Sequence, residues 1–245
     1  GTPMSLQVVR SLGSNDVKVY GVGTNIFEIS FHSRFIHKRL FIESYDLYKH
    51  INKILFFLHK YKIKYVIALG EQQLTALNEY RTEIEKYAKL LFPGKEKMNI
   101  VLDKMKTIKL AQEQNLPTPK TVYVKSFFDQ KKIYDIPLPV IVKPSYRTFR
   151  QIDKRKMDFR VKYFDSYEDT KKFLFKYIKN NYPCLVQENL KGDETCVAFL
   201  RYKGKLVAHC QFIFTVLSDI PGIPAVKETT ETLPELYAYG KKMLD

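Results

Sequence analysis

Four short patterns carry the residues that could do chemistry, and they occur in a fixed order. The first is Asp103-Lys104, opening a helical stretch that runs to Leu116-Pro117-Thr118-Pro119. The second is Leu138-Pro139-Val140-Ile141-Val142-Lys143-Pro144, an apolar strand ending in a lysine. The third is Val186-Gln187-Glu188-Asn189-Leu190, and the fourth is Gly192-Asp193-Glu194, followed by strand-like sequence. Each alone is commonplace: a lysine at a strand end usually snorkels to water, and Gly-x-Glu is a frequent turn. Nothing accompanies them that could serve as a nucleophile. There is no Ser-His-Asp or Cys-His arrangement, so no catalytic residue can be named. The five histidines, His32, His37, His50, His59 and His209, have no metal-ligand spacing. Cys184, Cys196 and Cys210 form no CxxC pair, and an odd count argues against a disulfide framework. A further cationic run, Arg147–Lys162, holds seven Arg or Lys against Asp153 and Asp158, with Phe149, Phe159 and Tyr163 interleaved. It offers phosphate contacts and stacking surfaces.

These patterns need elements to hold them. Met4–Leu12 has helical spacing and Gly13-Ser14-Asn15 ends it. Val17–Val22 is β-rich. Leu47, Ile51, Ile54, Leu55 and Leu58 place one buried stripe on a helix over Tyr45–Tyr61. Tyr65–Leu69 is a continuous apolar run, as expected for a strand buried on both faces of a parallel sheet, and Glu71–Tyr80 forms the next helix. Strand and helix alternation predicts right-handed crossovers and a parallel sheet. Such domains normally begin on a strand, so the expectation is that a first strand precedes the opening helix. Beyond Pro93-Gly94 the pattern changes. Asp103–Gln114 is a helix with Met105, Ile108 and Ala111 inward; Thr121–Val124, Pro139–Val142 and Leu185–Gln187 are strands. Ser166 caps a helix reaching Asn180. Cys196–Tyr202 and Leu206–Thr215 form a hairpin on Lys203-Gly204, and Leu233–Leu244 closes the chain.

Taken in order and at their spacing, the four patterns resemble the ATP-grasp superfamily, which includes biotin carboxylase, carbamoyl-phosphate synthetase and D-alanine–D-alanine ligase. The resemblance covers nearly the whole chain. It implies an α/β fold: a Rossmann-like preceding domain with a parallel sheet over residues 1–98, a linker helix and lid subdomain over 99–188, and the start of the C-terminal α+β subdomain over 189–245. It implies ATP as cofactor, with Lys104 and Lys143 on the phosphates, Gln187, Glu188 and Leu190 in the hinge at the adenine edge, and Glu194 on the ribose hydroxyls. Two lysines are suitable point-charge clamps for a phosphoryl transfer that is catalysed by positioning and charge neutralisation.

Three departures accompany the resemblance. Between Lys143 and Gly192 there is no glycine, so the family's Gly-rich phosphate loop is replaced by the cationic run, in which Arg147 and Arg150 are candidate phosphate ligands. Lys227 is a further candidate cation for substrate or phosphate. The substrate region is compressed into Asp219–Pro224. The Mg²⁺ ligands of relatives lie on strands that would follow residue 245, so no metal ligand is assigned, and the 245 residues alone are expected to be catalytically inactive. The function this implies is an ATP-dependent ligase that activates a small carboxylate as an acylphosphate for attack by an amine or other nucleophile, with a homodimer left open. Two alternatives remain: a basic nucleic-acid-binding module and a non-catalytic ATP-binding relative.

Composition bounds these readings. The chain is 45% hydrophobic and 14% aromatic, enough for real cores. A net charge of +15, from 41 Lys and Arg against 26 Asp and Glu, suits polyanionic ligands. No nucleic-acid signature is present. No apolar run approaches the roughly 20 residues of a membrane span. The cysteine usage and the absence of a signal-peptide pattern at the start predict a cytoplasmic setting.

Overall fold

The computed structural model describes residues 3–44, 46–146, 159–217 and 224–244. They fall into two compact units, one reaching Asn99 and the other beginning at Ile100.

In the first unit, helix α1 (Pro3–Gly13) leads into strand β1 (Val19–Gly23), which pairs in parallel with β2 (Ile36–Phe41). Helix α2 (Leu47–Lys60) crosses to β3 (Tyr65–Val66). Helices α3 (Glu71–Glu79) and α4 (Arg81–Ile84) then lead to β4 (Lys89–Leu90), parallel to β3, and α5 (Lys95–Val101) follows. Both pairings are parallel, as the strand–helix alternation predicts. The core is the α2 stripe of Leu47, Ile54 and Leu58 with Ile42, Ala76, Ile84, Ala88 and Leu90. One expectation fails here. Tyr65–Leu69 is not buried on both faces: only Tyr65–Val66 is strand, Tyr65 is 57% exposed and Ile67 44%. A two-stranded ribbon this short cannot cover both sides of an apolar run. Strands β2 and β4 are also additions to the sequence reading, since Lys38 and Arg39 mask the apolar alternation of Ile36–Phe41.

The second unit opens on helix α6 (Lys104–Glu113), capped by Asp103, with Met105, Ile108 and Ala111 half-buried. Strand β5 (Thr121–Val124) follows, then a 3₁₀ segment (Phe127–Asp135), β6 (Val140–Pro144), β7 (Lys162–Phe164), helix α7 (Tyr167–Ile178) and β8 (Cys184–Glu188). The four strands make one antiparallel sheet in the order β5-β8-β6-β7. Its inner face buries Val124, Val140, Val142, Cys184 and Val186 against Leu174, Tyr177 and Ile178 of α7. Helix α7 starts where the sequence places it: Ser166 Oγ accepts from the N–H groups of Glu168 and Asp169. Three antiparallel strands complete the unit: β9 (Thr195–Tyr202), β10 (Lys205–Leu217) and β11 (Pro224–Thr230). The β9–β10 hairpin turns at Lys203 (φ +48°) and Gly204 (φ +78°), the left-handed pair a two-residue hairpin needs. Helix α8 (Pro234–Leu244) lies on β9; a Cβ at Gly240 would collide with the Phe199 ring.

Arg147 and Arg150, most of the cationic run, and residues 219–223 of the compressed substrate region lie outside the described residues. Two parts of the run are ordered differently from the expected loop. Lys162 begins β7, and Phe159 is 7% exposed, its ring 5.0 Å from Phe173 and 4.8 Å from Tyr177. An aromatic held in the core cannot stack on a nucleobase, which removes one of the three rings that the nucleic-acid alternative rests on.

Two stability predictions arise from this packing. Leu174 is fully buried under the sheet. Leu174→Ala should destabilise the unit by about 2–5 kcal/mol, the range for truncating a core leucine; urea denaturation checks it. Asp129 accepts from the Ser126 hydroxyl and main chain and from Lys132. The Ser126 hydroxyl, chiefly, holds its carboxyl down to about 2, against an opposing effect of burial and with help from Lys132 and the Lys125 N–H. A depressed carboxylate contributes stability above its unfolded value near 3.8 that is lost as pH falls towards 2. Asp129→Asn should therefore flatten the pH dependence of stability within that window, an effect of about 2 kcal/mol.

Candidate functional site

Strand register decides which side chains share a face. Lys143 lies opposite Leu185, Ile141 opposite Gln187, and Gln187 also opposite Thr121. Directly opposed residues point the same way. Lys143, Gln187, Thr121 and Tyr123 therefore stand on the outer face of the β5-β8-β6-β7 sheet, away from the α7 core. There Lys143 Nζ donates to Gln187 Oε1 at 2.8 Å, and Gln187 Nε2 donates to Thr121 Oγ1 at 2.9 Å. Burial pushes the Lys143 ammonium below the ordinary lysine range, and the negative charge of Glu194 pulls the other way. The structure thus brings Lys143, Gln187 and Glu194 into one electrostatic neighbourhood. Glu194 is exposed, and its carbonyl is fixed to the sheet of β9–β11 by the Phe214 N–H at 3.0 Å.

Lys104 is joined to the same edge through its main chain. Its N–H donates to the Ser145 carbonyl at 3.1 Å, two residues beyond Lys143. Asp103 makes the junction. Only 4% exposed, it accepts from the N–H groups of Met105 (3.0 Å) and Lys106 (3.4 Å), the Ser145 hydroxyl (2.8 Å) and the Tyr146 hydroxyl (2.5 Å). One carboxylate therefore caps α6 and holds the end of β6. The sequence reading opens the helix at Asp103; its capping role, and Ser145 and Tyr146 as its partners, come from the structure.

The hinge residues divide. Gln187 is a strand residue, 7% exposed and paired on both sides, so its main chain is not a free edge and its contribution is through the side chain. Glu188 ends the strand. Its Oε1 accepts from the Lys120 N–H at 2.6 Å, and its own N–H donates to the Lys120 carbonyl at 3.0 Å. Leu190 follows in the loop and is 66% exposed. Lys227 stands on β11 with its ammonium 4.8 Å and 5.2 Å from the Phe212 and Phe214 rings, a cation–π arrangement on the other sheet. Among the described residues no group of three or more His, Cys, Asp or Glu converges as metal ligands, and no helix is long and apolar enough to cross a membrane.

No protein-family model matches this sequence, and no curated protein matches it in sequence. Solved structures do match in fold. A biotin carboxylase–ATP-analogue complex from Campylobacter jejuni superposes with a TM-score of 0.72 at 13% identity, covering 98% of this chain and 56% of that one. A carboxyaminoimidazole ribonucleotide synthase from Aspergillus clavatus complexed with ATP gives 0.70 at 13% identity, covering 100% and 60%. An L-amino acid ligase from Bacillus licheniformis gives 0.69 at 13% identity, covering 97% and 56%. The chain spans less than two thirds of the length of each. Matched along nearly all its length to such structures, and carrying the four ordered patterns on the elements just described, the chain has the ATP-grasp fold.

Proposed function

We propose that this chain carries the nucleotide site of an ATP-dependent carboxylate ligase, one that phosphorylates a small carboxylate and passes the acyl group to an amine or another nucleophile. The observation that carries the reading is Lys143: a half-buried ammonium on the outer sheet face, held by Gln187 and balanced by Glu194. A lysine has no packing reason to be kept charged there; an anionic ligand supplies one. Two of the matched structures are complexes with ATP or its analogue, which supports a nucleotide as that anion.

The roles are those that the resemblance implies, supported by the placement of Lys143 and Glu194. Lys143 and Lys104 neutralise phosphate charge as point charges. Asn189 and Leu190, beyond the end of the ladder, offer main-chain groups to an adenine edge, Glu188 holds the strand end against Lys120, and Glu194 accepts from ribose hydroxyls. Arg147 and Arg150 would cover the phosphates, and Lys227 would be a further cation for substrate or phosphate. On this reading residues 1–98 are the preceding domain, 99–188 the linker helix and lid, and 189–245 the start of the C-terminal subdomain. Mg²⁺ would come with ATP and neutralise part of its phosphate charge. No side-chain nucleophile is required, because the carboxylate substrate attacks the γ-phosphorus and ADP leaves.

Hydroxylamine trapping tests the activity. The full-length natural protein, given ATP, hydroxylamine and a panel of small carboxylic acids, should form an acyl hydroxamate with at least one acid and release ADP. ATP hydrolysis indifferent to every carboxylate, with no hydroxamate, would contradict the ligase reading.

A further inference from the structure

The hydrogen bonds around Gln187 run in one direction. Thr121 Oγ1 donates its single proton to the Pro119 carbonyl at 2.8 Å. That hydroxyl can then only accept from Gln187, so it takes the amide Nε2. The amide oxygen is left facing the Lys143 ammonium at 2.8 Å. A flipped amide would set two donors against each other at Lys143 and oppose Gln187 Oε1 to a hydroxyl whose proton is already committed, so the network itself fixes the orientation. The relay begins at Pro119, in a Pro-Thr-Pro segment whose prolines restrict the chain and which no part of the nucleotide site otherwise uses.

We propose that Pro119, Thr121 and Gln187 form a positioning relay that orients one amide oxygen onto Lys143 and so fixes where its ammonium stands and keeps it charged for an anionic ligand. Gln187 and Thr121 are positioning residues: they act through Lys143. The proposal rests on the reading of Lys143 as a phosphate ligand. A neutral amide suits the task. It accepts from the ammonium without cancelling its charge, whereas a carboxylate at 187 would compete with the phosphate for it. Among the described residues, the charged and titratable groups near Lys143 are Glu194 ahead of β9, Tyr123 and Tyr163 by register on the same sheet face, and Asp103 and Lys104, joined to Ser145 at the start of α6; all are unchanged in the variants below.

The test is ADP affinity against pH, from neutrality to pH 10, measured by calorimetry on the full chain and its variants. ADP binds the protonated lysine better, so affinity is level below the Lys143 pKa of the free protein and falls as pH rises through it. Gln187→Met removes the acceptor while keeping the length, and the alkaline fall should move to lower pH by roughly one unit, the equivalent of one lost hydrogen bond to the charged form. Gln187→Glu should move it to higher pH. Thr121→Val should act like Gln187→Met, and Thr121→Ser should restore the natural profile; this pair carries the test if a Gln187 variant does not fold. A structural role alone would not reverse sign between Met and Glu. An alkaline fall that coincides in all variants, while Lys143→Ala has lost affinity, would overturn the relay and leave the phosphate reading standing. Unchanged affinity and profile in Lys143→Ala would overturn the phosphate reading, and the relay with it.

Discussion

Lys143→Ala is expected to weaken ADP and ATP binding by about 1–3 kcal/mol, a loss of roughly 5- to 150-fold, the range for hydrogen bonds to a charged group. The alanine leaves Gln187 Oε1 without the Lys143 donor and removes a positive charge that interacts with Glu194. Lys143→Arg should recover only part of the affinity. It keeps the charge, but a planar fork does not fit a position set by one amide oxygen. Calorimetry on the full-length protein checks both. The inner core lies on the opposite sheet face, so the melting temperature of Lys143→Ala should change little, the acceptor left at Gln187 being offset by the removal of a half-buried charge. A large stability loss with unchanged affinity would mean that Lys143 serves the fold rather than a ligand.

The second large effect belongs to Asp103. Replacing it with alanine removes a helix cap, worth about 0.5–2 kcal/mol. It also removes the charged acceptor from the buried Ser145 hydroxyl and from the Tyr146 hydroxyl, and a hydrogen bond to a charged group is worth about 1.5–3 kcal/mol. Non-additivity reduces the sum, and a destabilisation of roughly 3–4 kcal/mol is expected, measurable by urea denaturation. Asp103→Asn keeps one accepting oxygen and should lose less. Since Asp103 joins α6 to the end of β6, nucleotide affinity should also drop in Asp103→Ala under conditions where the variant remains folded. A change below about 0.5 kcal/mol, the level of a surface substitution, would contradict this.

Much of the fold is legible in local sequence because local rules decide it. Ser166 reads as a cap and is one; Asp103 reads as the opening of a helix, which it starts as its cap; Lys203-Gly204 reads as a two-residue hairpin and is one; the α2 stripe is buried as its spacing predicts. What escaped the reading is set by tertiary pairing. Ile36–Phe41 looks too charged and Pro224–Thr230 too polar for strands, yet each is a strand because a neighbouring strand offers a ladder. Tyr65–Leu69 failed in the other direction: its apolarity indicates burial, but only a two-residue pairing forms. The candidate site divides similarly. Lys143 and Glu194 stand out by pattern. That Gln187 turns its side chain to Lys143, and that Thr121 dictates which end of the amide does so, depends on the register of three strands, and no local signal carries register across 44 and 66 residues.

The central claim, that a nucleotide lies on the outer face of this sheet with its base at the end of β8, is tested most directly by photolabelling with 8-azido-ATP and mapping the modified peptide. The label should fall in the segment from Val186 to Glu194, be suppressed by excess ATP and be lost in Lys143→Ala. Labelling confined to another part of the chain, or labelling of this segment that neither ATP nor Lys143→Ala diminishes, would contradict the account.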